Sequence, residues 1–134
     1  MTSSTRPARS INARYAGQAV TWDLSTVVDL GGFMDSRTGP NPGGLLGQAH
    51  IATALSAGPA GHAVYVLCSV NPPGGDPLDV MFARSSNGGV SWSAPVRVND
   101  DTSNDWQWFG TMSVAPNGRI DAVWNDTRNS GQSN

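Results

Sequence analysis

The chain contains no lysine and no glutamate: its eight basic residues are all arginine and its ten acidic residues all aspartate. That removes two good helix formers, and it removes any reaction that needs a lysine amine or a glutamate carboxylate. Cysteine is nearly absent too. Cys68 stands alone in the run Ala63-Val-Tyr-Val-Leu-Cys68, so no intrachain disulfide can form and a buried, inert thiol is the reading. No stretch approaches the roughly 20 apolar residues of a membrane span. The first residues, MTSSTRPARSINARYAG, carry arginines but no apolar centre, which does not fit a secretory leader and leaves localisation unread. Only 13% of the 134 residues are charged and the net charge is −2, so nothing marks a polyanion partner such as nucleic acid.

What is plentiful is turn chemistry: 16 glycines and 9 prolines, with many serines and asparagines. Short β-favouring runs lie between those turns, which predicts an all-β chain. Internal similarity follows. Ala13–Trp22 aligns with Ala83–Trp92 at an offset of 70, and Thr53–Val66 aligns without gaps with Gly110–Val123 at an offset of 57. The long connection GGFMDSRTGPNPGG after Leu30 absorbs the difference.

Between the two copies the pattern supplies four strands, near His50–Ala57, His62–Ser69, Leu78–Arg84 and Ser91–Val98. They are separated by Gly58-Pro-Ala-Gly61, Asn71-Pro-Pro-Gly-Gly-Asp76 and Ser86-Asn-Gly-Gly89. Phe109–Ala115 and Arg119–Trp124 begin a further unit, and Thr21–Leu30 ends a preceding one. Four antiparallel strands per repeat is the pattern of a propeller blade. The expected architecture is a partial β-propeller over residues 13–134, one complete blade flanked by two partial ones, about two blades in all. Residues 1–12 read as a disordered or fragmentary N-terminus. Such a piece needs further blades, or self-association, to close.

Ser85-Ser-Asn-Gly-Gly-Val-Ser-Trp92 resembles the Asp box, S-x-D-x-G-x-x-W, with Asn87 in the aspartate position. The spacing has its own physics. Asn87 can accept backbone N–H groups across the turn, Gly88 and Gly89 permit positive φ, and Trp92 folds back over the hairpin. Ser85, Asn87, Gly89 and Trp92 are therefore structural and not catalytic. Phe109–Arg128, ending in Trp124-Asn-Asp126-Thr-Arg128, is similar to the strand–turn–strand of bacterial Asp-box (BNR-repeat) proteins. In the first copy Tyr15, Gly17 and Ala19 replace the box residues and only Trp22 survives, so that hairpin is expected to keep its packing and lose its polar lock.

An up-and-down sheet sorts its loops between two faces. Pro116-Asn-Gly118 and the Asp box share one. The other collects Asp35, Arg37, Asp76, Asp100, Asp101, Asp105, Asp126 and Arg128. Asp126 and Arg128 suit a clamp on a glycan carboxylate, or equally an ion pair between neighbouring blades. Trp106 and Trp108, two apart, point the same way on a strand and suit either sugar stacking or packing under the preceding loop. Asp100–Asp105 offers oxygen ligands for Ca²⁺, but its spacing is not that of an EF-hand and a solvated loop is the simpler reading. His50 and His62, with one cysteine elsewhere, have no zinc-ligand spacing, so no cofactor is expected.

The resemblance is to sialidase-like proteins. It implies a glycoside hydrolase of sialic acids, secreted or at the cell surface, with a tyrosine nucleophile activated by glutamate and an arginine triad. This chain has no glutamate and no R-I-P motif, and Tyr15 and Tyr65 lie in strand-like runs. Hydrolysis by the chain alone is therefore not expected. Two other readings stand beside it: a non-catalytic propeller module binding glycan or protein, and a small β-sandwich of the accessory carbohydrate-binding kind.

Overall fold

A computed structural model describes residues 5–34, 48–54 and 63–130. The described chain is all-β, with several antiparallel sheets, none closed on itself. Its strands are β1 (Ala8–Arg9), β2 (Leu24–Ser25), β3 (His50–Thr53), β4 (Val64–Val70), β5 (Asp79–Ser85), β6 (Val96–Arg97), β7 (Gln107–Val114) and β8 (Ile120–Asp126). A central four-stranded sheet in the order β3-β4-β5-β6 stands between two two-stranded sheets, β1-β2 and β7-β8. β1 falls within residues 1–12, a stretch that the hydrophobic pattern leaves without an element.

Strand β4 explains the layering. Its residues alternate between two cores, as a strand covered on both faces must. Val66, Cys68 and Val70 join Val28, Leu30 and Ala83 in one core, toward the β1-β2 side. Tyr65 and Leu67 join Val80 and Met112 in the other, toward β7-β8, where Tyr65 also stacks on Phe82 at 5.9 Å. Each fully buried large aliphatic here contributes about 1.5–3 kcal/mol. The result is three layers around two cores. A parallel bridge from Leu78 to Trp106 ties the central sheet to the start of β7.

The two outer sheets correspond to complementary halves of the central one, in a register different from that of the ungapped sequence alignments. At the N-terminal hairpin the Asp23 amide donates to the Arg9 carbonyl at 2.9 Å; in the central sheet the Ser93 amide donates to the Arg84 carbonyl at 2.8 Å. Arg9 thus corresponds to Arg84, and β1-β2 to β5-β6. At the other end, the Ala115 amide donates to the Arg119 carbonyl (2.8 Å) as the Ala54 amide donates to the Ala63 carbonyl (3.0 Å), so β7-β8 corresponds to β3-β4. These closing bonds pair Val64 with Ile120. The ungapped alignment is one residue out in that strand, and a one-residue slip exchanges the two faces. In the structural register Ile120, Ala122 and Trp124 face the preceding layer, as Val66 and Cys68 do.

Candidate functional site

The Ser85–Trp92 turn is a closed set of hydrogen bonds. Asn87 Oδ1 accepts the Ser91 amide (2.9 Å) and the Ser85 hydroxyl (2.8 Å), while Asn87 Nδ2 donates to Ser91 Oγ (2.8 Å). Ser85 Oγ accepts the Gly89 amide at 2.9 Å. Gly88 and Gly89 hold φ of 69° and 89°, the left-handed region that glycine enters without penalty. Half-buried Trp92 packs on the first core, and its Nε1–H donates to Thr26 Oγ1 (3.0 Å), which donates on to the Gly89 carbonyl (2.7 Å). The indole therefore joins this turn to the preceding hairpin.

The first hairpin reverses the sequence expectation. Trp22 is 68% exposed, whereas the polar lock is present, carried by Ser10 and Asn12. Asn12 Oδ1 accepts the Thr21 amide (2.9 Å) and the Ser10 hydroxyl (2.9 Å), and Ser10 Oγ accepts the Ala13 amide (3.1 Å). The serine-to-asparagine bond and the asparagine-to-amide bond repeat those of Ser85, Asn87 and Ser91, while Asn12 Nδ2 donates to the Ala19 carbonyl where Asn87 Nδ2 donates to the Ser91 hydroxyl. The segment from Ser10 to Trp22 is five residues longer than that from Ser85 to Trp92, so anchoring the comparison on tryptophan displaces the serine and asparagine. The extra residues lengthen the turn and carry Trp22 away from the core.

At the opposite end of the sheets the charged candidates divide into two groups. Arg128 is held by two carboxylates: Nη1 donates to Asp100 Oδ1 (2.6 Å), and Nε donates to Asp126 Oδ2 (2.8 Å), with Nη2 2.7 Å from the same oxygen. Asp126 Oδ1 also accepts the Arg128 amide at 2.9 Å, and Asp126 Oδ2 takes the Trp124 indole N–H at 3.4 Å. Hydrogen bonds from Arg128 hold the Asp100 carboxyl below the usual range. For Asp126, partial burial pushes upward, but bonds from the Arg128 amide and guanidinium outweigh it and the carboxyl lies low. The two carboxylates raise the Arg128 guanidinium in turn.

The second group is buried and centres on Asn99, which sequence reasoning missed along with Asp79 and Gln107. Asn99 Nδ2 donates to Asp79 Oδ1 and Asp101 Oδ1, each at 2.7 Å, and Asn99 Oδ1 accepts the Val80 amide at 2.9 Å. Arg97 donates to the Asp101 carbonyl at 2.8 Å, and the Ser103 hydroxyl to Asp101 Oδ2 at 3.0 Å. Gln107 is fully buried, and with its side-chain amide turned over, nitrogen for oxygen, it donates to the carbonyls of Leu78 (2.6 Å) and Asp105 (3.1 Å). The signal available in the sequence was Asp79 inside a β-favouring run and Gln107 between two tryptophans. Polar residues at buried strand positions must be paired. Asp76 sits beside this group; partial burial, then the nearby Asp79 and Asp101, raise its carboxyl.

Trp106 and Trp108 flank Gln107 and are both half-buried. Trp106 exchanges bonds with Thr127, its amide donating to Thr127 Oγ1 (2.9 Å) and its carbonyl accepting the Thr127 amide (3.1 Å). Trp108 pairs with Asn125, and Gln107 with Asp126. By alternation the two indoles therefore occupy the face of β7 opposite Gln107, and the Asp126–Arg128 pair does not share it. A bulge follows Trp108, with Phe109 at φ 54°, a conformation that a bulky residue rarely holds. Beyond it Gly110 lies so close to the central sheet that a Cβ would stand 3.0 Å from Leu67 Cδ2.

Asp35, Arg37 and His62 lie outside the described residues. His50 meets Thr111 Oγ1 at 3.0 Å through Nε2. Among the described residues no group of three or more His, Cys, Asp or Glu side chains is arranged to hold a metal ion. At the acidic run weighed for Ca²⁺ and read as a solvated loop, Asp100 is committed to Arg128, and Asp101 is buried and committed to Asn99 and Ser103. Among the described residues no helix is long and apolar enough to cross a membrane. Against family models, curated proteins and solved structures alike, the chain has no significant match.

Proposed function

We propose that this chain is a segment of a sialidase-like Asp-box propeller and that it acts as a non-hydrolytic module whose loop rim contacts a glycan. The observation that carries the reading is the lock made twice, by Ser85 and Asn87 and again by Ser10 and Asn12, at corresponding hairpins of successive layers. A serine–asparagine lock that recurs at the same place in consecutive units is the kind of internal repetition a repeat fold shows.

The residues present support the non-hydrolytic reading. No glutamate exists to activate a tyrosine, and Tyr65 is buried between β3 and β5 in a packed core. Arg128 is matched by two carboxylates, which disfavours the capture of a third. The rim thus suits the hydroxyls of a neutral sugar, taken by Asp100 and Asp126, better than a sialic acid carboxylate. The half-buried indoles of Trp106 and Trp108 offer separate stacking surfaces on the opposite face of β7.

The test uses the full chain. A fluorogenic sialoside is expected to release no fluorophore. Neutral oligosaccharides are expected to shift the indole N–H resonances of Trp106 or Trp108, with a sialylated oligosaccharide binding no better than its neutral parent. Sialoside turnover would sink the non-hydrolytic reading, and no shift with any glycan would sink the binding role.

A further inference from the structure

We infer that a second copy of this chain docks its β7-β8 hairpin beside β1-β2, completing a four-stranded sheet shared between two molecules. The inference rests on the repeat of layers and not on any glycan. In the central sheet, β5-β6 is one half and β3-β4 the other, joined by the β4–β5 ladder. The hairpin β1-β2 reproduces the first half, and β7-β8 reproduces the second. Among the described residues β1 is laddered only to β2, and β8 only to β7. The edge each hairpin lacks is the edge the other presents.

The space for such a hairpin is visible. A cleft of about 360 Å³ lies between β1-β2 and the central sheet, lined by Arg9, Leu24, Thr26, Ile51, Thr53 and Trp92 among others. It lies over the β3 side of the layer, which the short hairpin β1-β2 leaves uncovered, and there Ile51 is 53% exposed. On the opposite half, Val123 of β8 is 63% exposed. These two exposed residues correspond, by the hairpin-closing bonds, to a pair that share one core within a single chain. Val123 stands where Leu67 stands in β4, and Ile51 where Met112 stands in β7; Leu67 and Met112 share the second core. Docking would bury the equivalent pair between copies.

Register supplies the second argument. Leu67 pairs with Phe82 and Tyr65 with Arg84. Carried over, Val123 of one copy faces Pro7 of the next, and Asp121 faces Arg9. That sets opposite charges across the new ladder, a stabilising cross-strand pair. Arg9 already bonds Asp23 and the Gly88 carbonyl, and Asp121 already meets Arg119, so the new contact would extend an existing network. Because the two surfaces differ, the contact is head-to-tail, and successive copies would form a ring or an open chain.

The experiment combines mass and linkage on the full chain. Sedimentation over a wide concentration range should show species at multiples of 14.0 kDa. Pro7→Cys and Val123→Cys variants are then mixed and treated with a short thiol crosslinker; buried Cys68, its thiol pushed up to about 12, stays silent. A dimer is expected from the mixture and not from either variant alone. Val123→Asp, at an exposed position of the lone chain, should keep the circular dichroism spectrum and weaken association about tenfold or more. A monomer at every concentration would overturn the inference. So would crosslinking of the Val123→Cys variant with itself as readily as with its partner, or association unaffected by Val123→Asp. None of these outcomes bears on whether the rim binds glycan.

Discussion

Replacing Asn12 with alanine tests whether the first hairpin is locked as the second is. Asn12 Oδ1 accepts the Thr21 amide and the Ser10 hydroxyl, and its Nδ2 donates to the Ala19 carbonyl, all at 2.9 Å. Each such bond is worth about 0.5–1.5 kcal/mol net, and at an exposed turn water replaces part of what is lost, so the change should cost about 1–2 kcal/mol locally. The hairpin has few buried contacts, so the loss appears first as local opening and not as global unfolding. Amide hydrogen exchange read by NMR is the suitable assay. Thr21 exchange should accelerate about 5- to 30-fold in Asn12→Ala, while Ser91 stays unchanged. Asn87→Ala should do the converse, speeding Ser91 and sparing Thr21. Unchanged Thr21 exchange in Asn12→Ala would refute the duplicated lock, and with it the main support for the repeat.

Three further outcomes follow from the packing and the charges. Gly110→Ala places a Cβ 3.0 Å from Leu67 Cδ2 and 3.1 Å from Val80 Cγ1, and should lower stability by about 1–3 kcal/mol, seen as a lower urea midpoint. The low carboxyls of Asp100 and Asp126 give stability that is complete above their unfolded value of about 4 and is lost as pH falls through the folded values. The stability difference between the native chain and Arg128→Ala should therefore shrink on acidification, while carboxyl NMR titration finds Asp76 on the high side. Burial pushes the Cys68 thiol up to about 12, so alkylation at mildly alkaline pH should be slow in the folded chain and fast in denaturant.

The central sheet was legible because its runs alternate and its turns are spelled in Asn, Pro, Gly and Asp. Val64–Val70 and Asp79–Ser85 fall close to the predicted second and third strands. The fourth shrinks to Val96–Arg97, since Ser91 belongs to the Asn87 turn and Pro95 has no N–H to give a ladder. The first hairpin was misread for a definite reason. Tryptophan is the most conspicuous letter of the repeated segment, yet the lock is made by the serine and asparagine, and an insertion between them and Trp22 breaks the spacing. The rim was legible as a set of charges but not as partners. Sequence order places Asp126 two residues before Arg128, whereas the Arg128–Asp100 contact spans 28 residues and exists only once the sheets stack. The buried hub at Asn99 was hidden for the same reason, because a loop asparagine looks solvated until the strands close around it.

Strand β4 has a consequence for how this protein fails. Val-Tyr-Val-Leu-Cys-Ser-Val, residues 64–70, contains no charge, proline or glycine, and is rich in β-branched and aromatic side chains. Such a segment is a strong aggregation nucleus whenever its backbone is offered to another chain. One flank is sealed by seven paired residues of β5; on the other, among the described residues, β3 pairs Val64–Leu67 and Phe33 bridges Asn71 just past the strand. Detachment of that short guard strand exposes a fresh hydrogen-bonding edge while the rest of the sheet persists. Conditions that merely loosen β3 should thus drive fibril formation well before the chain has unfolded.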